Sequence, residues 1–492
     1  MAKISSARKA AFQILMAVER GQSHSDELLR GKTVNALSAP DRNLATALVL
    51  GVLRWQIQLD HQCQALLSRP NARLDPEIRI ALRLGAFQLL YMDRIPARAA
   101  IDESVELAQQ AGHHFASGMV NAVLRKMARY KQTLDDLSPP SEDLATLKGH
   151  DEDPALKGHD FSRAVDATET LRALAPAGTH SKESAQDLAL AQAHPSWMVE
   201  RWINFYGLDA AQAICRHGQS QPELTLRLAS PTAETELLTV GIGLEPRELL
   251  TAARTIVSGD VSATEAFREG RVRFQDEGSQ LVAELAGSAT RILDCCAAPG
   301  GKTLILAERN PQARIVACES SAPRLEQLRK RLAAYEARIE FRLADATALA
   351  EDSVYDLALA DVPCSGTGTL GRNPEIRHRL CLDDLTRQAE RQRAILAAAL
   401  RAVRPGGHIV YSTCSLEPEE NEQVVAAVLA ATPNTRLVSF AARIGQLLDE
   451  GILTATGAER LRGSLTAESF LRLLPGTFHT DGFFICMIER TS

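Results

Sequence analysis

The chain has no run of eighteen apolar residues, so no membrane-spanning helix is expected. Its first residues, MAKISSARKAAFQILMAVERG, carry charges on both sides of a short apolar patch. A long apolar segment and a small-residue cleavage site are both missing there, which argues against a secretory signal. There is no Cys-x-x-Cys pair and no Cys/His cluster at zinc spacing. Cys295 and Cys296 are too close for a usual site, so no metal is expected. Nine cysteines, an odd number spread over 492 residues, suit reduced thiols in the cytoplasm rather than a disulfide framework. Nor is there a global basic surplus. The net charge is −6, so any surface for nucleic acid has to be local.

What is present describes a soluble globular chain, 45% hydrophobic and 24% charged, long enough for two to four domains. Residues 1–132 read as helices. Ala11, Ile14, Leu15 and Val18 share one helical face, as do Leu44, Leu48, Val52 and Trp55. EIRIALRLGAFQLLY (77–91) is apolar nearly all round and suits the centre of a bundle. Residues 1–130 hold 17 Lys and Arg against 11 Asp and Glu, a local surplus of bases. Residues 133–190 reverse this, with 12 acids against 5 bases, and read as an acidic flexible linker or insertion. The near-duplicates TLKGHD and ALKGHD inside it read as a slipped repeat rather than a metal motif. Residues 191–272 suit a small α/β subdomain, with Trp197 and Trp202 anchoring a helix and ELTLRLAS alternating like a strand. From 273 to 492 strand-length apolar runs alternate with helical stretches, the pattern of a doubly wound, mainly parallel α/β sheet.

LDCCAAPGGKT (293–303) ends like a phosphate-binding loop, but Cys296 stands where that pattern needs glycine. Pro299 also has no N–H to offer a phosphate. Ligands of such sheets bind beyond the carboxyl ends of the strands. Asp294, Glu319, Asp345 and Asp361 all fall at such ends. Acids in that number would repel a pyrophosphate. They suit a ligand with ribose hydroxyls and a cationic centre, as in S-adenosyl-L-methionine, and Gly300-Gly301 lets main chain approach it closely. Cys364, in DVPCSGTG, and Cys414, in YSTCSLEPEENE, each follow a strand in a loop of small and polar residues. A methyl donor needs a thiolate when the acceptor is carbon 5 of a pyrimidine. Thiolate attack at carbon 6 makes carbon 5 enamine-like and nucleophilic. Cys63, Cys215, Cys318, Cys381 and Cys486 read instead as small buried hydrophobes.

LDCCAAPGGKT, DVPCSGTGTLGRNPEIR and YSTCSLEPEENE resemble the signature motifs of RNA 5-methylcytosine methyltransferases, nearest to the bacterial enzymes of small-subunit ribosomal RNA. FQDEGSQLVAELAG and DGFFICMIER are similar to that family's flanking segments. RIPARAAIDESVELAQ with VNAVLRK resembles the helical RNA-binding domain shared with NusB. The resemblance implies a Rossmann-like methyltransferase sheet over 273–492, a NusB-like bundle over 1–132 and methylation of a cytosine in 16S ribosomal RNA; a monomer is the default expectation, in the cytoplasm that the thiols suggest. Free or early-assembly RNA is the implied partner. It implies Cys414 as nucleophile and Cys364 as the aid to product release. Asp361 would touch the methionine amino group and the base, and Lys302 would orient Asp361. Cys296, Ala297, Ala298, Pro299, Gly300 and Gly301 would line the cofactor loop. Glu319 would hold the ribose, Asp345 would lie by the adenine, and Arg324 matches a recurrent basic position.

The chain departs from that pattern in places. Glu319 stands where the family often has Asp, and Ala229 replaces a polar residue in the middle subdomain. RNA would be gripped by the basic helical domain and by Arg372, Arg377, His378 and Arg379 beside the Cys364 loop. Two other readings compete. A DNA cytosine methyltransferase would use Cys364 as nucleophile and need no second thiol. A non-catalytic RNA-binding factor would not need Lys302, Asp361 and both cysteines.

Overall fold

A computed structural model describes residues 4–69, 72–137 and 185–492. The TLKGHD and ALKGHD repeats, and most of the acidic 133–190 stretch, lie outside the described residues. Contacts divide the chain into two units. The first runs up to Gln221 and takes in Leu370–Arg379; the second holds Pro222–Thr369 and Leu380–Ser492.

The first unit is helical among the described residues. Helix Pro76–Tyr91 starts on a proline, whose missing N–H costs nothing in a first turn. It buries Ile78, Ile80, Leu82, Leu84, Phe87 and Leu89, so it is central, as its all-round apolar sequence implies. Each such side chain contributes roughly 1.5–3 kcal/mol on burial. Helix Ser6–Glu19 buries Ala11, Ile14, Leu15 and Val18, and helix Ala39–Leu66 buries Leu48, Val52 and Trp55. Leu44 is only half-buried. Helix Ser196–Tyr206 packs in this same unit on a fully buried Trp202, while Trp197 stays half-buried.

The basic group expected to meet RNA is largely used up inside this unit. Arg377 is 2% exposed and donates to the carbonyls of Arg54, Ala193, Gly218 and Leu370. His378 Nε2 lies 2.7 Å from the Leu53 carbonyl, and Arg379 donates to Val18 and Ser23 carbonyls. Val18 and Gly218 sit in last turns of helices, where carbonyls lack intrahelical partners and attract cations. Burial lowers the Arg377 guanidinium to about 9 and His378 to about 3.

The second unit carries two sheets. The smaller has strands β1 (Thr225–Leu228), β2 (Gly243–Pro246), β3 (Ala253–Ser258) and β4 (Val272–Phe274), antiparallel in the order β2-β3-β1-β4. Alternation along β1 sends Leu226 and Leu228 into an apolar cluster with Leu237 and Val272. Arg227 points the other way, its Nη1 2.9 Å from Glu284.

The larger sheet has β5 (Arg291–Asp294), β6 (Arg314–Glu319), β7 (Ile339–Leu343), β8 (Tyr355–Asp361), β9 (Val403–Thr413), β10 (Thr435–Val438), β11 (Leu471–Leu473) and β12 (Phe483–Arg490). Its order is β10-β12-β9-β8-β5-β6-β7, with β11 also paired to β12. Strands β5 to β9 run parallel; β12 is antiparallel to β9, β10 and β11. β5 has β6 on one side and β8 on the other, so the winding reverses there. That reversal opens a crevice at the carboxyl ends of β5 and β8. Cys63, Cys215, Cys318 and Cys486 are buried, but Cys381 is exposed. It caps helix Leu382–Ala402 in a box with Asp384, a role its loop position and Asp384 spacing allow. None of the described helices is long and apolar enough to cross a membrane.

Candidate active site

β5 delivers Asp294 to the crevice, 1% exposed. Its carboxylate accepts from Thr303 Oγ1 at 2.7 Å and from the Cys296 N–H at 3.3 Å, and so shapes the loop that follows. Burial raises this carboxyl to about 6, with Asp361 adding to the rise and the two donors opposing it. A cleft of about 110 Å³ runs along the loop, lined by Asp294, Cys296, Ala297, Ala298, Pro299, Gly300, Gly301, Lys302 and Asp361. Phe274, Gln275, Ser279 and Arg331 complete the lining. Gly300 has φ +102°, and a Cβ there would meet Leu328 at 2.7 Å. Only glycine suits that left-handed, crowded position. Burial pushes the half-buried Cys296 thiol far up, so it stays protonated.

Lys302, in the first turn of helix Gly301–Arg309, places Nζ 2.8 Å from Asp361 Oδ2. Ser412 Oγ donates to Asp361 Oδ1 at 2.7 Å. Burial works against the lysine's charge, but Asp361 outweighs it and holds the ammonium above its ordinary range. Lys302 Nζ also lies 5.5 Å from the Phe483 ring centroid.

β8 and β9 pair Asp361 with Ser412. Three residues on from the first and two from the second, Cys364 and Cys414 bring their Sγ atoms to 3.3 Å. The hydrogen bond with Cys414 and then burial raise the Cys364 thiol well above its ordinary value. A Cys364 that keeps its proton can donate a hydrogen bond to the Cys414 sulfur. The loops meet closely behind the sulfurs. Gly368 N–H donates to the Cys414 carbonyl at 2.9 Å, and a Cβ on Gly368 would lie 2.8 Å from that oxygen.

β6 ends on Glu319, 4% exposed, which accepts from the Ser321 N–H at 2.8 Å. Arg324 Nη1 lies 3.5 Å from Glu319, and Nη2 donates to the Ala298 carbonyl at 3.1 Å, so this exposed arginine braces two cleft elements. Asp345, exposed beyond β7, accepts from the Thr347 N–H, and that bond holds its carboxyl below the ordinary range.

The crevice thus gathers the loop after β5, Lys302, Asp361, Cys364 and Cys414, with Glu319 and Asp345 on the next strand ends. Asp294 is a cleft residue that the strand-end acids pointed to without giving it a role. Glu420, Ser365, Ser415 and Gln392 tie the two cysteine loops together and carried no separate signal. Glu420 lies in the acidic stretch EPEENE and is fully buried. Among the described residues no group of His, Cys, Asp and Glu could hold a metal.

Three family models match the chain: 16S rRNA methyltransferase RsmB/F over residues 284–489, the NusB family over 5–129, and an RsmF/B-like ferredoxin-like domain over 194–238. The chain is 32% identical to the probable ribosomal RNA small subunit methyltransferase B of Bacillus subtilis, over 99% of each chain. It is 31% identical to the ribosomal RNA small subunit methyltransferase B of Pseudomonas putida, over 89% of this chain and 92% of that one. The crystal structure of PH0851 shares the fold at TM-score 0.70 and 21% identity, covering 99% of both chains. With three models matching in chain order and full-length relatives above 30% identity, the chain belongs to the 16S rRNA methyltransferase RsmB/F family.

Proposed function

We propose that this chain methylates carbon 5 of a cytosine in 16S ribosomal RNA through a covalent cysteine adduct. The observation that carries this reading is the 3.3 Å approach of Cys364 and Cys414 beside the Lys302–Asp361 pair. S-adenosyl-L-methionine is the cofactor, and when bound it supplies an electrophilic methyl group. The cleft fits it: a glycine turn with no room for side chains, and acids rather than phosphate-binding donors at the strand ends. Ala297 to Gly301 would line it, Glu319 would take the ribose hydroxyls and Asp345 would lie by the adenine. Arg324 would keep Glu319 and the Ala298 carbonyl in place.

Cys414, as thiolate, adds to carbon 6 and turns carbon 5 into an enamine-like nucleophile. Asp361, held by Lys302 and Ser412, meets the base, and the Lys302 ammonium beside it steadies the negative charge that develops on the ring. Once Cys414 has bonded to carbon, the hydrogen bond that raised Cys364 is gone. Cys364 then gives up its own proton to solvent and, as thiolate, takes the carbon-5 proton; the electron pair restores the ring double bond and expels the Cys414 thiolate. The target base must leave its stack to reach the sulfurs, and the basic helical unit is the proposed grip on RNA. Bisulfite mapping of 16S rRNA from cells lacking the protein tests this. One cytosine should lose its methyl group and regain it on complementation; an unchanged map contradicts the reading.

A further inference from the structure

Glu420 is a carboxylate with 0% exposure. Among the described residues no Lys or Arg forms an ion pair with it. A buried charge without a cation costs several kcal/mol unless hydrogen bonds satisfy it. Here four do. Oε1 accepts from the Ser365 N–H at 2.8 Å and from Gln392 Nε2 at 3.0 Å. Oε2 accepts from the hydroxyls of Ser365 and Ser415. Those hydroxyls lie 3.1 Å from each other. Ser365 follows Cys364, and Ser415 follows Cys414. Gln392 also donates to the Pro363 carbonyl at 2.9 Å, so both neighbours of Cys364 are held.

We propose that Glu420 is a positioning residue of the methyl-transfer site, holding the Cys364 and Cys414 loops together through Ser365, Ser415 and Gln392. The inference rests on reading those two thiols as the reacting pair. Glu420 touches neither substrate nor cofactor; it acts through the serines. Its charge also opposes ionisation of Cys364, after the hydrogen bond with Cys414 and burial. An apolar residue of equal volume would avoid the desolvation cost, but it would take the partner from four donors.

The test uses the full-length chain with 16S rRNA transcript as substrate. Glu420→Gln keeps the shape and removes the charge; Glu420→Asp keeps the charge and shortens the reach. Both should lower kcat on the order of 100-fold, the cost of misplacing reacting groups by about 1 Å. Both should leave the dissociation constant for S-adenosyl-L-methionine unchanged. In a Cys414→Ala background, the pH midpoint for alkylation of Cys364 should fall with Glu420→Gln and hold with Glu420→Asp. A purely structural role would not produce that split. Wild-type kcat in Glu420→Gln overturns the proposal, as does a loss of kcat that only parallels lost cofactor binding. If Glu420→Gln fails to fold, Ser365→Ala with Ser415→Ala carries the same expectation and the same refutation. Adduct trapping by Cys364→Ala checks the parent reading separately: no adduct sinks that reading, whereas an adduct with a fully active Glu420→Gln sinks only the positioning role.

Discussion

Lys302 Nζ lies 2.8 Å from Asp361 Oδ2, joining the helix after β5 to the end of β8 across the reversal of the sheet. Ser412, at the end of β9, holds the carboxylate's other oxygen. Two neighbouring strands and one helix therefore converge on a single carboxylate. Cys364 follows it by three residues, so the orientation of Asp361 and the placement of the thiol are set by the same short backbone.

If Lys302 acts through Asp361, their removals should not add. Lys302→Met, Asp361→Asn and the double variant should show a coupling of about 1–3 kcal/mol in kcat/KM. Kinetics of the three variants measure it. Strictly additive losses would mean that each residue works alone.

Asp294 gives a pH signature. Burial raises its carboxyl to about 6 from an ordinary 3.8, so the folded chain holds this proton more tightly than the unfolded chain. Its stabilising share is complete below pH 3.8 and is lost as pH rises through 6. Asp294→Asn removes that loss. Its stability relative to wild type should rise across this window, by roughly 3 kcal/mol at most. Denaturant melts at about pH 3.5 and about pH 7.5 bracket the window; a difference that does not change with pH contradicts this.

Arg377 separates a structural arginine from a nucleic-acid contact. Its donors are taken by four carbonyls of the helical unit. Arg377→Met should destabilise the chain by about 3 kcal/mol or more, since it strips those carbonyls of a buried partner. The salt dependence of RNA binding should stay as in wild type. Loss of a phosphate contact would instead reduce that slope by about 1.

Much of the site was legible because its residues obey local rules. The cofactor loop, the Pro-Cys and Thr-Cys loops and the acids at strand ends sit where a doubly wound sheet puts ligands, and strand-length apolar runs marked β5 to β9 and β12. β10 and β11, of four and three residues, fall below what alternation can reveal. Arg377 and Glu420 were illegible for a shared reason. Each is a charged residue in a polar stretch, and only the tertiary fold supplies the carbonyls or hydroxyls that let it be buried. Cys381 misled in the opposite sense, because a cysteine at a helix start can cap it and stay in solvent. Arg227 shows how the small sheet is used: one face meets its own apolar cluster, and the other is fixed by Glu284 and Glu308.

The most direct test exchanges the two thiols one at a time and follows RNA–protein adducts on denaturing gels with S-adenosyl-L-methionine present. Cys414→Ala should abolish both turnover and adduct. Cys364→Ala should accumulate methylated RNA joined to Cys414, because the adduct forms but is not released. An adduct trapped by Cys414→Ala, or full turnover by either variant, would contradict the assignment of nucleophile and releasing group.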